Sequence, residues 1–181
     1  AEGLVQTVFL QVLRDIERFE VGKPVMPWLL AMVEHRASDL RRRFGVMFQS
    51  GALWSSMTVG ENLMLPLRLF TTLPADERRA RARWKLALVG LDDAFDLEPA
   101  ELSGGMRKRA AIARALALDP ELLYLDEPSS GLDPFSAARL DGLILNLRRH
   151  LGTTVVMVSH SIDSVFAVAD RLLYLDHLEK T

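Results

Sequence analysis

Apolar residues recur along the first part of the chain at helical intervals. Val5, Phe9, Val12, Ile16 and Phe19 are spaced 4, 3, 4 and 3 residues apart, which lines one face of an amphipathic helix. The stretch "EVGKPVMP" interrupts this pattern with Gly22, Pro24 and Pro27. Pro27 suits the first turn of a second helix running through Trp28, Leu29, Met32 and Val33, and Arg36, Arg41, Arg42 and Arg43 crowd that helix's far end.

After Arg43 the texture changes. The runs "FGVMF", "LLYLD", "TTVVMVS" and "RLLYLD" read as strands, too continuously apolar for a half-exposed sheet and therefore expected to be buried on both faces. Helical periodicity returns between them over 75–89, 103–118, 137–150 and 162–169. Strands alternating with helices predict an α/β layer fold with a parallel sheet. No internal repeat or low-complexity segment breaks this pattern.

Composition narrows the picture only a little. The 181 residues are 49% hydrophobic and 25% charged, ordinary values for one globular domain or one domain with an added piece. The longest apolar run, 28–33, is far shorter than the roughly 18 to 20 residues of a membrane-spanning helix, and no signal-peptide pattern opens the chain. A net charge of −2 gives no global pull toward nucleic acid. The absence of cysteine excludes disulfides, thiolate catalysis and Cys-ligated zinc. The chain begins without Met and stops just after a strand-like run, so it is expected to be a fragment at both ends.

The chemistry begins where the strand "LLYLD" ends. Asp126 and Glu127 are adjacent carboxylates at the C-terminal edge of a parallel sheet, where open α/β folds bind ligands. One can reach Mg²⁺ while the next, facing the other way, polarises a water for attack on a phosphate. By itself Asp-Glu-Pro also fits a plain polar turn. Some twenty residues earlier, Ser103, Gly104 and Gly105 open an Ala- and Arg-rich helix, placing a capping hydroxyl and unobstructed N–H groups at a positive helix end. His160 ends the strand "VVMVS", with an imidazole able to hydrogen-bond a terminal phosphate. Gln49 ends "FGVMF", with an amide oxygen for Mg²⁺ or water, and Asp133 follows in "SGLD".

Together, in this order and at these spacings, the motifs of 44–176 resemble the ATPase subunit of ATP-binding cassette (ABC) transporters. "FGVMFQ" looks like its Q-loop, "LSGGM" its signature, "LLYLDE" its Walker B strand with the following Glu, "SSGLD" its D-loop and "VSH" its H-loop. The resemblance implies that ATP and Mg²⁺ are bound, Asp126 and Gln49 serving the metal. Glu127 would polarise the attacking water and His160 would contact the γ-phosphate. It also implies a head-to-tail homodimer in which Ser103, Gly104 and Gly105 meet the nucleotide of the opposite subunit, with Asp133 a further nucleotide-binding residue.

A narrower likeness, in "FQSGALWSSMTVGENLMLPL", "LSGGMRKRAAIARALALDPELL" and "LGTTVVMVSH", is to the ATPases of Mla-type systems. These work with a lipid-binding MCE-domain protein to move phospholipids between bacterial membranes. The likeness implies a cytoplasmic subunit held peripherally on the inner membrane, with a permease docking near Gln49 to Val59. Leu53, Trp54, Met57 and Val59 would receive that partner, although Trp54 fits a buried corner of the helical subdomain equally well.

No G-x-x-x-x-G-K-[ST] loop occurs in the sequence. The nearest stretch, "EVGKP", has Pro24 where Ser or Thr would bind Mg²⁺ and Glu17 where the first Gly would stand, and it lies between helices. Residues 1–43 instead resemble part of region 2 of an extracytoplasmic-function sigma factor, through "LVQTVFLQVLRDIERF", the Pro-Trp-Leu-Leu turn and the basic helix end. Four arginines against Asp39 give 36–43 a local charge of +3, which reads more simply as a solvated helix end than as a nucleic-acid site.

The expected architecture is therefore a P-loop NTPase-like parallel sheet missing its P-loop strand. A helical subdomain spans about 58–116, and a helical pair over 1–43 precedes the ATPase part at 44–181. Two alternatives stand beside an energy-coupling ATPase: a transcription fragment that binds RNA polymerase through 1–43, and a nonfunctional chimera.

Overall fold

The computed structural model describes residues 43–49 and 51–174. Residues 1–42 of the helical pair expected over 1–43, and the end of the run at 175–176, lie outside the described residues. Three parallel strands form the sheet in the order β1-β2-β3: β1 (Phe44–Met47), β2 (Leu122–Asp126) and β3 (Thr154–Val158). The register sets Met47 opposite Leu125 and Asp126 opposite Val158, so all three strands end at one edge. Among the described residues three α-helices lie between β1 and β2, α1 (Val59–Phe70), α2 (Ala75–Leu88) and α3 (Gly104–Ala115); α4 (Pro134–Leu151) joins β2 to β3, and α5 (Ile162–Val168) follows β3.

The expected α/β class and parallel sheet are found, and α2 to α5 lie where periodicity put them. Periodicity does not single out α1. Its run "LMLPL" is continuously apolar and contains Pro66, which hides the 3.6-residue spacing. Its start is nonetheless well specified, because Thr58 caps the Glu61 amide while the Glu61 carboxylate accepts from the Thr58 amide.

The expectation of strands buried on both faces holds for β2 alone, whose Leu122–Leu125 are all buried. In β1 exposure alternates, and β3 is half-open along its length. The reason is position: β2 lies between two neighbours, whereas β1 and β3 are edge strands among the described residues. The run at 171–174 forms no strand, and Leu172, Leu173 and Tyr174 are exposed.

α3 lies unusually close to the sheet. Its Ala110, Ala111, Ile112 and Ala113 are completely buried, and a Cβ placed on Gly45 of β1 would stand 2.4 Å from the Ala115 carbonyl oxygen and 2.8 Å from Pro120. Small residues on the helix and glycine on the strand together allow that approach, which fixes where the N-terminus of α3 emerges. α2 is tied to the loop before β2 by Asp119, which accepts from Arg81 at 2.9 Å and from the fully buried Lys85 ammonium. Burial pushes the Lys85 pKa down, against the pull of Asp119.

Arg43, read from sequence as part of the basic helix end, is helical and is tied to the start of β2. Its carbonyl accepts from the Glu121 amide at 3.0 Å, and its guanidinium pairs with the Glu121 carboxylate. No helix among the described residues is long and apolar enough to cross a membrane.

Candidate functional site

The three strand ends deliver four of the expected residues to one edge. Gln49 follows β1, Asp126 and Glu127 end β2, and His160 follows β3. Glu127 has a left-handed backbone, with φ at 48°, and its amide donates to the Val158 carbonyl at 2.9 Å. This bend directs the side chain toward the loop after β3. There the His160 amide donates to Glu127 Oε1 at 3.0 Å, and the ring Nδ1 stands 2.8 Å from the same oxygen. The His160 side chain is 76% exposed and the Glu127 side chain 15% exposed, so a mostly buried carboxylate is held by a histidine whose ring faces outward.

Burial pushes the Asp126 carboxyl above the usual aspartate range; Glu127 beside it adds to the shift and the Lys108 ammonium opposes it. Lys108 is the residue that sequence reasoning missed. From α3 it donates to the carbonyl oxygens of Gln49 at 2.5 Å and Glu127 at 3.0 Å, joining the loops after β1 and β2. Desolvation lowers its pKa, while Glu127 and Asp126 pull the other way. Within "MRKRAAIARA" a lysine reads as one more solvated charge, and only the close approach of α3 to β1 turns it inward.

The donor set suits Mg²⁺, which takes one or two carboxylates and fills its remaining positions with phosphate oxygens and water. Asp126 supplies a carboxylate and the Gln49 side chain carries an amide oxygen, both hard oxygen donors. Beside them Glu127 Oε2 is buried without a hydrogen-bond partner.

The other expected residues gather in a separate groove of about 540 Å³, lined by Ser103, Gly104, Gly105, Asp133, Arg109 and Arg139 among others. Gln49, Asp126, Glu127 and His160 are not among its lining residues. Ser103 caps α3 by accepting from the Met106 amide at 3.2 Å. Space beside Gly105 is open, with nothing within 4 Å of a built Cβ, and Gly104 has only Leu132 at 3.8 Å. Asp133 caps α4, accepting from the Phe135 and Ser136 amides at 3.1 and 3.0 Å, and hydrogen bonding to Ser136 holds its carboxyl below the usual range.

The loop after Gln49 corrects one of the two readings of Trp54. Trp54 is 58% exposed and therefore not a buried corner. Its backbone is held by the fully buried Asn62, whose side chain accepts from the Trp54 amide and donates to the carbonyls of Trp54, Met57 and Thr58. Val59 is completely buried and belongs to the core rather than to any surface beside Trp54.

A parallel sheet whose C-terminal edge carries these side chains, with a helical layer beside it, is the α/β fold of P-loop NTPase-like proteins. The ABC transporter family model matches residues 15–130, and the chain belongs to that family. It is 46% identical over 141 residues to the intermembrane phospholipid transport system ATP-binding protein MlaF of Escherichia coli (strain K12), covering 78% of this chain and 52% of that relative. It is 40% identical over 176 residues to the methionine import ATP-binding protein MetN 1 of Rhodococcus jostii, covering 96% of this chain and 52% of that relative. Among solved structures, the dimeric ATP-binding cassette MJ0796 bound to ADP and Pi in a post-hydrolysis state superposes with a TM-score of 0.64 at 34% identity, over 72% of this chain and 58% of that one.

The chain thus spans about half the length of the curated relatives it matches. The sigma-factor reading of 1–43 is not favoured, because the family match begins at residue 15 and the MetN 1 alignment takes in 96% of the chain.

Proposed function

We propose that this chain supplies the hydrolytic edge of an ATP-binding subunit that energises phospholipid transport between bacterial membranes. The observation that carries the hydrolytic part is the convergence of the His160 amide and ring on Glu127 Oε1. A carboxylate fixed by two groups of one histidine is held in place to polarise an attacking water. With Nδ1 directed at Glu127, Nε2 is the ring atom left to face the γ-phosphate of ATP.

Asp126 and Gln49 would hold Mg²⁺, which when bound neutralises charge on the phosphates. Lys108 fixes the spacing of these two positions by gripping the carbonyls of Gln49 and Glu127. Ser103, Gly104, Gly105 and Asp133 line a different groove from the Glu127–His160 pair, which supports their action on the nucleotide of a second, head-to-tail subunit. The open space at Gly105 suits close approach of a phosphate to backbone N–H groups.

The phospholipid reading rests on the 46% identity to MlaF. It implies a cytoplasmic position on the inner membrane, through a permease that meets the exposed Trp54 and an MCE-domain partner. The test is reconstitution. The 44–181 region, joined to the P-loop-bearing lobe of an MlaF-type ATPase, is assembled with the Mla permease and MCE protein in phospholipid vesicles. ATP-dependent movement of labelled phospholipid that is lost in Glu127→Gln is the expected result. ATP turnover without lipid movement would overturn the substrate, and no turnover would overturn the hydrolytic assignment.

A further inference from the structure

The groove that carries Ser103 holds two guanidiniums that differ in what occupies them. Arg109, on α3, is committed to the backbone, its Nη1 donating to the carbonyls of Val89 and Gly90 at 2.8 and 2.9 Å. Arg139, on α4, lines the same groove, yet no acceptor among the described residues takes a hydrogen bond from it and no carboxylate pairs with it. Its contact is with the Phe135 ring one turn earlier, whose centroid lies 5.9 Å from the guanidinium carbon. Phe135 is itself exposed, so packing does not explain why the pair stands here.

Charge in the groove is not balanced by its own side chains. Asp133 is the one carboxylate of the lining, against Arg109 and Arg139, and it already accepts from the Phe135 and Ser136 amides. A chain of formal charge −2 thus keeps a local excess of positive charge at this place. Burial, and then the charge of Arg139, push the Arg109 pKa down, as expected of two cations that share one groove. An arginine fork meets two oxygens of a phosphate at once, which the compact ammonium of a lysine does not. A phosphate chain is the ligand chemistry this arrangement suits.

We propose that Arg139 is a further phosphate-binding residue, one that grips the terminal phosphoryl group of the nucleotide met by Ser103, Gly104 and Gly105. It stands six residues beyond Asp133, inside α4 and outside every motif read from the sequence. The proposal rests on reading this groove as one half of a composite site. A dimer that mixes Ser103→Arg and Glu127→Gln chains tests that reading by itself, so the two can fail separately.

The measurement is an NMR titration of the full chain with sodium tripolyphosphate, which carries the phosphoryl chain without base or ribose. The reporters are the Gly104 and Gly105 amides and the Arg139 Nε–H, and the buried Ala111 and Ile112 of α3 are the references for an unchanged fold. Tripolyphosphate and ATP should move the reporters with similar midpoints, and the references should stay in place. Arg139→Ala should raise both midpoints at least about tenfold, the weight of one charge-assisted hydrogen bond. Arg139→Lys, which keeps the charge without the fork, should recover part of that loss. Inorganic phosphate that binds as tightly as ATP would make this a free-phosphate site and overturn the nucleotide assignment. Midpoints unchanged in Arg139→Ala, or no movement of the reporters in the unaltered chain, would overturn the proposal outright.

Discussion

Two hydrogen-bonding groups of His160, its backbone amide and its ring Nδ1, converge on a single oxygen of Glu127 at 3.0 and 2.8 Å. The contact joins the ends of two strands that already pair, since Glu127 N also reaches the Val158 carbonyl. It depends on a left-handed backbone at Glu127, an arrangement that costs on the order of 1–3 kcal/mol at a non-glycine residue. Strain of this kind persists where surrounding bonds impose it, and here the second oxygen of Glu127 is left unpaired as a result. Geometry at this edge is set for something other than stability.

Asp126 makes the same point through pH. Burial, and then the neighbouring Glu127, raise its pKa in the folded state. The folded protein therefore holds this proton at pH values where the unfolded chain has released it, and stability falls as pH rises through the folded pKa. Asp126→Asn is expected to melt at a higher temperature than the unaltered chain near neutral pH. The gain should disappear as pH falls to the unfolded aspartate range near 3.8. Thermal melts of both proteins across that interval check the sign, and a gain that grows toward acid would contradict it.

Two glycines should separate packing from binding. A Cβ on Gly60 would lie 2.5 Å from the Phe95 ring, whereas nothing lies within 4 Å of one on Gly105. Gly60→Ala is expected to destabilise by about 1–3 kcal/mol, the usual cost of overpacking. Gly105→Ala, inside helix α3, should leave stability unchanged or raise it by about 0.4–1 kcal/mol. Urea denaturation of the two variants measures both, and equal losses would refute the distinction.

What the sequence revealed follows the range of the interactions involved. The ends of β1, β2 and β3 were legible because short apolar runs followed by Gln49, Asp126, Glu127 and His160 are local patterns. The cap at Ser103 was legible for the same reason, bonding within three residues. Lys108 was not, since its partners lie 59 and 19 residues away. The Ser129–Ser164 contact was equally hidden, because the two residues are 35 apart and nothing local marks either as buried. The exposure of β3 depends on which strands stand beside it, which no run of valines reports.

Hydrolysis by the 181-residue chain alone is expected to be at background. These 181 residues contain no G-x-x-x-x-G-K-[ST] motif, and being without even two charge-assisted hydrogen bonds at roughly 2 kcal/mol each would weaken nucleotide binding about a thousandfold. Phosphate release from Mg-ATP is the measurement. Turnover that vanishes in Glu127→Gln would show that another segment replaces the loop.

Joining 44–181 to a P-loop-bearing lobe of an MlaF-type ATPase should yield an ATP-dependent dimer, and in it the two grooves become testable separately. Ser103, Gly104 and Gly105 line one groove, while Glu127 and His160 stand outside its lining. If the first group acts across the dimer, a mixed dimer of one Ser103→Arg chain and one Glu127→Gln chain places both defects at one composite site and leaves the other whole. Two sites working independently would then retain about half of the unaltered activity per dimer, and two strictly coupled sites almost none, by the non-additivity of groups that act as a unit. If both groups act within one subunit, each site of the mixed dimer carries one defect and the intermediate value cannot arise. Ser103→Arg in both chains should abolish ATP-dependent dimerisation, read by light scattering, because the added guanidinium fills space that the phosphates need. Dimerisation and hydrolysis that survive this change would reduce Ser103 to the cap of α3 that it is in the isolated chain.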